Sequence, residues 1–346
     1  MKVKGLFFIM AVLIIGCSVE ISKPEPEPEP EPEPDKQEWP DGQDVYIVGV
    51  EIEMGIPSNA KLWKNGVAQN LTNGSLSSVA TSVFVSNNDI YIAGYEGNIA
   101  KLWKNSIAQN LTDGSLAAYA FSVFVSGNDV YVVGHEGSFL KLWKNGIEQN
   151  LDNVSRNSSA QSVFISDNNV YMAGYCTIPF GSGSIGIAKL WKNGIEQTLT
   201  DGSKNARANS VFVSGNDVYI AGYEESIAKL WKNGVAQNLT NGHQSSRANS
   251  VFVSENDVYV AGYEGDIAKL WKNGRAQNLT NGSLPASASS VFVSGSDVYV
   301  SGMEYVEVKG AGLPSISARA ILWINGTPIR FADEFNGSTA TSVFVK

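Results

Sequence analysis

The sequence predicts an all-β fold: a single seven-bladed β-propeller with four antiparallel strands per blade, its ring closed by a C-terminal strand that completes the first blade. Three observations lead to this prediction. A unit of about 40 residues occurs seven times from residue 43 onward, each unit holds four short apolar runs, and the first and last units are cut at complementary points. A repeat of this length with four strands is typical of propeller blades.

The repeat is marked by a Leu-Trp pair, a Ser-Val-Phe triplet and a glycine that ends a Tyr-containing run. Successive tryptophans, and likewise the serines of successive triplets, are separated by 40, 40, 48, 40, 40 and 52 residues. The three series are Trp63, Trp103, Trp143, Trp191, Trp231, Trp271 and Trp323; Ser82, Ser122, Ser162, Ser210, Ser250, Ser290 and Ser342; and Gly49, Gly94, Gly134, Gly174, Gly222, Gly262 and Gly302. Because each of the three markers occurs seven times, the chain contains seven copies of one unit.

Each unit is predicted to form four short strands, since its apolar runs are rich in Val, Ile, Phe, Tyr and Trp and are bounded by turn residues. Turns such as Gly127-Asn128 join the first two strands, and Asn-Gly pairs such as Asn65-Gly66 join the last two in tight hairpins. The first two strands are apolar at successive positions, whereas the fourth is polar. This gradient predicts a blade that is buried on both faces and has its fourth strand at the solvated outer edge.

The two ends of the repeat region indicate a closed ring. The first unit begins at its second strand, near Asp44, and lacks a Ser-Val-Phe strand, whereas the chain finishes on an unaccompanied one at 342–345. Pairing of this last strand with the first unit removes the open sheet edges that a linear array exposes. An open solenoid needs polar caps at both ends, and the sequence shows none.

The order of an apolar strand, a Tyr-containing strand ending at Gly, and a Trp-bearing hairpin resembles the kelch-like β-propellers over residues 43–346. The sequence departs from that family's pattern in two ways. A single glycine stands where kelch units carry a Gly-Gly pair, and the Trp precedes the second hairpin turn rather than following it. WD-type repeats share the period but not the Gly-His and Trp-Asp marks.

The N-terminus predicts a bacterial lipoprotein. A basic start precedes an apolar run that is shorter than the roughly 20 residues needed to span a bilayer as a helix, which favours a signal peptide over a transmembrane anchor. The segment ending at Cys17 resembles a lipobox, and the resemblance implies that Cys17 becomes the acylated first residue of the mature protein. The predicted division is a signal peptide at 1–16, the lipid-anchor cysteine and an acidic Pro-Glu linker at 17–42, and the propeller at 43–346.

Charge and composition exclude several functions. The chain has a formal net charge of −9, most of it in the linker, where residues 24–34 alternate Pro and Glu. Such a run favours extended polyproline II, at about 3.1 Å per residue, and acts as a spacer. The nearly neutral propeller lacks the clustered Lys and Arg of nucleic-acid binding. Cys17 and Cys176 are the only cysteines, which excludes a Cys-rich metal site or a redox pair.

Differences among the seven copies point to one face. The most variable loops lie between the fourth strand and the next unit, and after the glycine of the second strand. In a meandering blade both loops emerge on the same face, and recognition is usually placed on such loops. The alternative is that the loops of the duplicated units have changed under weak constraint and that their differences have no functional meaning. The candidate ligand-binding residues, large groups where other copies carry small or polar ones, are Tyr119, Phe121, Tyr175, Phe180, Arg207, Arg247 and Tyr305.

No catalytic, metal or cofactor site is predicted. His135 and His243 are the only histidines and lie in units three blades apart, and no calcium-binding loop pattern occurs. The seven tryptophans are interpreted as packing between blades, and the repeated aspartates that open the second strands as turn residues. For glycan-cleaving chemistry, acidic residues interpreted as unique to one unit would have to converge. These residues are Glu53, Glu225, Glu304 and Glu307.

These observations predict a non-enzymatic binding or adhesion protein, a monomeric propeller held by its lipid anchor in the bacterial cell envelope, at the outer membrane or cell surface. Its ligand is a glycan or a protein, bound on the loop-rich face. Two alternatives stay open: a propeller hydrolase or lyase that acts on glycans, and a structural component of an envelope assembly.

Replacing Cys17 by Ala is expected to abolish incorporation of radiolabelled palmitate by the expressing bacterium, because the acyl chains attach to that cysteine. Cys176→Ala is the matched control and leaves labelling unchanged. Continued labelling of the Cys17→Ala variant contradicts the lipobox assignment.

Overall fold

The computed structural model describes residues 39–53, 55–151, 154–308, 315–332 and 336–346. The 28 strands in these ranges form seven sheets of four antiparallel strands, which confirms the predicted all-β, seven-bladed propeller. The predicted signal peptide, Cys17 and the Pro-Glu spacer lie outside the described residues. Within the described ranges, no helix is long and apolar enough to cross a membrane.

The strands meander outward from the axis in each blade, and we call them A, B, C and D in that order. Blade 1 contains β1 (Val45–Ile52), β2 (Asn59–Lys64) and β3 (Val67–Asn70) as its strands B to D; blade 2 contains β4 (Ser78–Ser86), β5 (Asp89–Glu96), β6 (Ile99–Lys104) and β7 (Ile107–Asn110); blade 3 contains β8 (Ala118–Ser126), β9 (Asp129–Glu136), β10 (Phe139–Lys144) and β11 (Ile147–Glu148); and blade 4 contains β12 (Ser158–Ser166), β13 (Asn169–Phe180), β14 (Gly183–Lys192) and β15 (Ile195–Thr198). Blade 5 contains β16 (Ala206–Ser214), β17 (Asp217–Glu224), β18 (Ile227–Lys232) and β19 (Val235–Asn238); blade 6 contains β20 (Ser246–Ser254), β21 (Asp257–Glu264), β22 (Ile267–Lys272) and β23 (Arg275–Asn278); blade 7 contains β24 (Ala286–Ser294), β25 (Asp297–Val308), β26 (Ser315–Ile324) and β27 (Thr327–Arg330); and β28 (Gly337–Val345) is strand A of blade 1.

The ring closes where the end of the chain pairs with its beginning. β28 runs antiparallel to β1, with Val345 opposite Val45. Two backbone hydrogen bonds between Asp44 and Lys346, of 2.8 and 2.9 Å, extend this pairing by one residue on each side. The C-terminal Ser-Val-Phe strand therefore completes blade 1. This agrees with the prediction made from the first unit, which has no Ser-Val-Phe strand of its own.

The hydrophobic core is divided among the interfaces between blades. Between blades 1 and 2, Val48 and Leu62 pack in one cluster with Val83, Ile92 and Trp103, and each of these side chains is at most 5% exposed. The six other interfaces repeat this cluster. The seven strand C tryptophans are at most 2% exposed, in agreement with their interpretation as packing residues. Truncating a buried Trp of this kind to Ala costs about 3–5 kcal/mol.

The serines of the Ser-Val-Phe triplets connect neighbouring blades. The hydroxyl of Ser210 in blade 5 accepts a hydrogen bond of 3.2 Å from the backbone N–H of Val251 in blade 6. All seven interfaces have this bond, with lengths of 3.1–3.4 Å, and we call the set the serine ring. Strand A has a neighbouring strand on one side only, so each serine satisfies an amide that faces the next blade.

The phenylalanines of the same triplets surround the axis. Each ring lies beside the next, with centroids 4.7–5.0 Å apart, and the series returns from Phe344 to Phe84. A regular seven-membered ring with this spacing places the centroids roughly 5–6 Å from the axis. The central channel is therefore narrowed by an apolar collar.

The glycine of strand B is required by close approach of the backbone. A Cβ at Gly94 would overlap the carbonyl oxygen of Val79 and the ring of Trp103. The strand A alanine beside it, Ala80, is fully buried, and so are its six equivalents. This crowding explains why both positions carry the same small residue in every unit.

The A–B and C–D turns form one face of the ring, the turn face, which carries a repeated polar corner. In blade 2, Asp89 accepts a hydrogen bond from the Asn105 amide and pairs with Lys104, each at 2.7 Å. Lys104 and Asn105 hold the pKa of the Asp89 carboxyl below its ordinary value. Asn65 and Gly66 of a C–D turn have φ of 48° and 78°, as a type I′ hairpin requires. The aspartates act as turn residues, as interpreted.

The first described residues lie against the turn face at the seam between blades 7 and 1. Trp39 packs edge-on against Phe331, with ring centroids 6.0 Å apart. The Tyr299 hydroxyl donates a hydrogen bond of 2.8 Å to the side-chain oxygen of Gln43. Part of the segment 39–42, which falls in the predicted linker, therefore contacts the ring, and the chain enters the propeller on the turn face.

Deletion of residues 337–346 is expected to remove the single cooperative unfolding transition of the ring, because it uncovers the buried inner edge of β1. Calorimetry and near-ultraviolet circular dichroism measure this loss. Adding a synthetic peptide with the sequence of residues 337–346 is expected to restore the transition. A truncated chain that melts like the full-length protein contradicts ring closure by β28.

Candidate functional site

The B–C and D–A loops lie together on the face opposite the turns, as predicted, and we call it the loop face. In blade 2, the backbone N–H of Gly97 in the B–C loop donates to the carbonyl of Ser77 in the preceding D–A loop, at 2.9 Å. Gly137 and Ala117 make the equivalent bond of 2.8 Å in blade 3. These bonds fix the variable loops to one another.

Two positions of each blade line the inner rim of the loop face. The first is the strand A residue before the buried alanine, the second is the strand B residue after the glycine, and the two are cross-strand partners. For blades 1 to 7 the first positions are Thr339, Val79, Tyr119, Ser159, Arg207, Arg247 and Ser287, and the second positions are Val50, Tyr95, His135, Tyr175, Tyr223, Tyr263 and Met303. At the four interfaces from blade 2 to blade 6, the second-position side chain contacts the first-position side chain of the next blade.

Blades 2 and 3 bring four ring side chains together, Tyr95, Tyr119, Phe121 and His135, which we call the aromatic arc. Tyr119 lies in the middle, and its ring centroid is 4.5 Å from that of Tyr95, 5.2 Å from that of His135 and 6.3 Å from that of Phe121. All four side chains are half-buried. Pairs of this geometry stabilise one another by about 0.5–1.5 kcal/mol. The arc is therefore a preformed, largely apolar patch of the rim.

Phe121 occupies a position where other blades carry a hydrogen-bond donor. In blade 5 the equivalent Asn209 amide donates to the carbonyl of Ala248 in blade 6, at 2.9 Å. The other residues that make this bond are Thr81, Asn249 and Thr341. Phe121 cannot donate it, so blade 3 loses an inter-blade bond of about 0.5–1.5 kcal/mol. Among the described residues four of the seven blades make this bond, and Phe121 is the one residue at this position whose side chain has no donor.

His135 joins the aromatic arc to blade 4. Its Nδ1 lies 3.1 Å from the hydroxyl oxygen of Ser159, and Gln161 donates to the same hydroxyl at 2.9 Å. Burial lowers the pKa of His135 below its ordinary value. Burial, and to a lesser extent the neighbouring Tyr119, raises the pKa of Tyr95. The imidazole and the phenol are thus both uncharged at neutral pH.

Two arginines continue the rim beyond the aromatic arc. The guanidinium carbon of Arg207 lies 4.1 Å from the ring centroid of Tyr175 in the preceding blade. That of Arg247 lies 4.5 Å from the ring centroid of Tyr223. Stacking of this kind fixes a guanidinium plane while leaving its edge able to donate hydrogen bonds. The two side chains are presented in parallel on adjacent inner strands.

Phe180 and Tyr305 lie apart from the rim, on the long B–C hairpins of blades 4 and 7. Phe180 ends β13 opposite Gly183 and is 57% exposed. Tyr305 is a half-buried residue of β25, opposite Ala318. Within the described ranges, neither ring contacts another aromatic ring.

Of the candidate residues, the structure brings Tyr119 next to Phe121 within one unit. It also brings Arg207 next to Tyr175, although these two residues belong to different units. It also shows rim residues that the sequence argument did not select: Tyr95, His135 and Tyr223. Their common signal was an aromatic ring directly after the strand B glycine in five of the seven units. A residue type that recurs in most copies does not stand out as variation, so a search for differences passes over it.

The strand B glutamates next to the loop face are paired with cations. Strand B glutamates pair with strand C lysines, as Glu96 does with Lys101 at 2.6 Å. The interpretation of Glu304 as unique to its unit was wrong: it is the equivalent of Glu96 and accepts from Arg319 at 2.7 Å. Glu225 pairs with Lys204 at 3.3 Å. In the part of the chain that the structure describes, no group of three or more His, Cys, Asp or Glu side chains is placed to hold a metal ion.

Of the comparisons with known proteins, one solved structure supports the propeller fold. No protein-family model matches the chain, and no curated protein matches it. The β-propeller domain of the Trilobed protease from Pyrococcus furiosus, described as having an open velcro topology, is similar over 84% of this chain and 92% of that one, with 10% identity and a TM-score of 0.50. A computationally designed protein matches over 73% of this chain and 77% of that one, with 21% identity and a TM-score of 0.45. A nidogen/laminin complex structure matches over 67% of this chain and 92% of that one, with 8% identity and a TM-score of 0.44.

The lowered pKa of His135 makes the stability of the ring depend on pH. Unfolding frees the imidazole to titrate near pH 6.5, so the unfolded chain binds more protons than the folded one as pH falls through that value. The stability is fully present above pH 6.5 and decreases below it. We therefore expect the melting temperature to fall between pH 7.5 and 5.5 from this group.

The variant His135→Tyr, which carries the residue of four other blades, is expected to lose this part of the pH dependence. His243→Gln removes the exposed histidine of a D–A loop and is the matched control. An equal pH dependence in the wild-type and His135→Tyr proteins contradicts the assignment.

Proposed function

We propose that this chain is a lipid-anchored protein of the bacterial cell envelope whose kelch-like propeller binds a glycan or protein ligand on its loop face, without catalysis. The observation that carries the proposal is the aromatic arc together with the two Arg–Tyr stacks beside it. Tyr and Arg side chains are common anchors of binding surfaces. A rigid scaffold that presents them on one face is a frequent arrangement for recognition.

The rim is arranged before any ligand arrives. Tyr119 is held by Tyr95 and His135 by Ser159, each from a neighbouring blade, and Phe121 lies beside Tyr119 and His135 of its own blade. Binding therefore orders few side chains, and each rotamer-rich side chain that is already fixed saves about 0.5–1.5 kcal/mol of the cost of association. This preorganisation favours a binding role for the rim.

The position of the N-terminal segment is compatible with display. Trp39 and Gln43 lie on the turn face, so the first described residues lie on the side of the ring opposite the aromatic arc. In the proposed lipoprotein, a ligand can approach the arc without passing the point where the chain enters. The acyl chains on Cys17 and the extended Pro-Glu run supply the anchor and the distance from the membrane.

The variant Phe121→Asn separates binding from stability. Asn is the residue of blades 5 and 6 at this position, where it donates to the next blade. We expect Phe121→Asn to keep or raise the melting temperature, because it can form the missing bond to the Ala160 carbonyl. We expect it to lower affinity for ligands captured on a glycan array or by pull-down about tenfold or more, as loss of an aromatic anchor does.

The control is Ile107→Ala, which removes a large side chain that is 76% exposed on the outer strand of blade 2. It is expected to leave both the melting temperature and the captured ligands unchanged. Capture that is equally strong for the wild-type and Phe121→Asn proteins contradicts a ligand site at the arc.

A further inference from the structure

The ring neutralises most of its own cations. In blades 2, 3, 5 and 6, each strand C lysine on the loop-face side lies 2.6–3.0 Å from a strand B glutamate. On the turn face of the same blades, a second lysine lies 2.7 Å from the aspartate of the polar corner. This pairing is a property of the repeat, so a cation without a carboxylate departs from the scaffold pattern.

Arg207 and Arg247 are such departures. Within the described ranges, neither guanidinium has a carboxylate partner, and each lies over a tyrosine ring. Arg207 is half-buried, and its Nε is shielded from solvent without an acceptor. A shielded donor of a charged group is costly to leave unpaired. Arg247 is exposed.

The two arginines occupy the same rim position on the adjacent inner strands β16 and β20. Their guanidinium edges can donate pairs of parallel hydrogen bonds, the geometry that suits carboxylates. Ser159 and the aromatic arc continue the same rim on the side of blade 4. The rim thus offers two repeated cationic positions followed by flat apolar and hydroxyl-bearing groups.

We infer that the ligand of the proposed binding site is a polyuronate, a glycan whose successive sugars carry carboxylates. Arg207 and Arg247 bind carboxylates of the ligand, and the sugar rings lie on the aromatic arc. This inference rests on the proposed function and specifies its ligand. A glycan is favoured over an acidic peptide because peptides commonly bind a sheet by adding a strand to a free edge, whereas the strand A edges at this rim are taken up by the serine ring.

The negative net charge of the protein argues against non-specific binding of a polyanion. The chain has a net charge of −9, so non-specific attraction to a polyanion is not expected. Retention by a polyuronate then requires a local cationic site.

The test is affinity electrophoresis of the full chain in native gels that contain polygalacturonate or alginate. Matched gels contain fully methyl-esterified polygalacturonate, in which the carboxylates are masked, or poly-glutamate. We expect at least one polyuronate to retard the wild-type protein, with affinity at least about tenfold higher than for the masked polymer. Arg207→Ala with Arg247→Ala lowers that affinity about tenfold or more, since charge-assisted hydrogen bonds are lost.

The variant with Arg207→Lys and Arg247→Lys keeps both positive charges but not the planar pair of donors, and it is expected to have intermediate affinity for the polyuronate. Arg275→Ala is the matched control, because it removes an exposed arginine from the outer strand of blade 6. Equal loss in this control, equal retention by the masked polymer, or no retention by any polyuronate overturns the inference. Arginine-dependent retention by poly-glutamate alone overturns the assignment to a glycan. If Phe121→Asn abolishes capture of some other ligand while the arginine variants do not, the proposed function stands and only its ligand class is wrong.

Discussion

Closure of the ring is the constraint on which the rest of the structure depends. One four-stranded unit cannot cover both faces of its own sheet, so each blade relies on its two neighbours for burial of its core residues. Six of the seven interfaces join blades that follow one another along the chain. The seventh, between blades 7 and 1, requires β28 to pair with β1, and it has the same serine bond as every other interface, here donated by the N–H of Val343 to the hydroxyl of Ser290.

Closure also makes the loop face a rigid platform. At four interfaces a rim residue contacts a rim residue of the next blade, as Tyr95 contacts Tyr119 and Tyr175 contacts Arg207. The identical scaffold therefore supports a rim that is not symmetric. Phe121 stands where the equivalent residues of other blades carry a hydrogen-bond donor, so blade 3 gives up a stabilising hydrogen bond to the next blade. The rest of the ring is stable enough to tolerate this local loss of stability, as is common at functional sites.

Much of the fold was predictable because it is periodic. Seven copies of each marker predicted the blade number, and the orphan strand at Ser342 predicted ring closure. The roles of the triplet residues were not predictable, because the bond from Val251 to Ser210 joins positions 41 residues apart. The rim had the same difficulty: Tyr119 and Phe121 were recognisable as unusual, whereas the partner Tyr95 resembles its equivalents in other units.

The most direct test of this account is hydrogen exchange, measured by nuclear magnetic resonance, of the seven valine amides that donate to the serine ring. The account predicts that all seven exchange slowly and to a similar degree. In particular, Val83, which donates to Ser342 of β28, and Val343, which lies in β28 and donates to Ser290, exchange as slowly as Val251. Rapid exchange at Val83 and Val343, with slow exchange at the other five, would show that the seam opens independently and would contradict closure as the constraint that holds the ring.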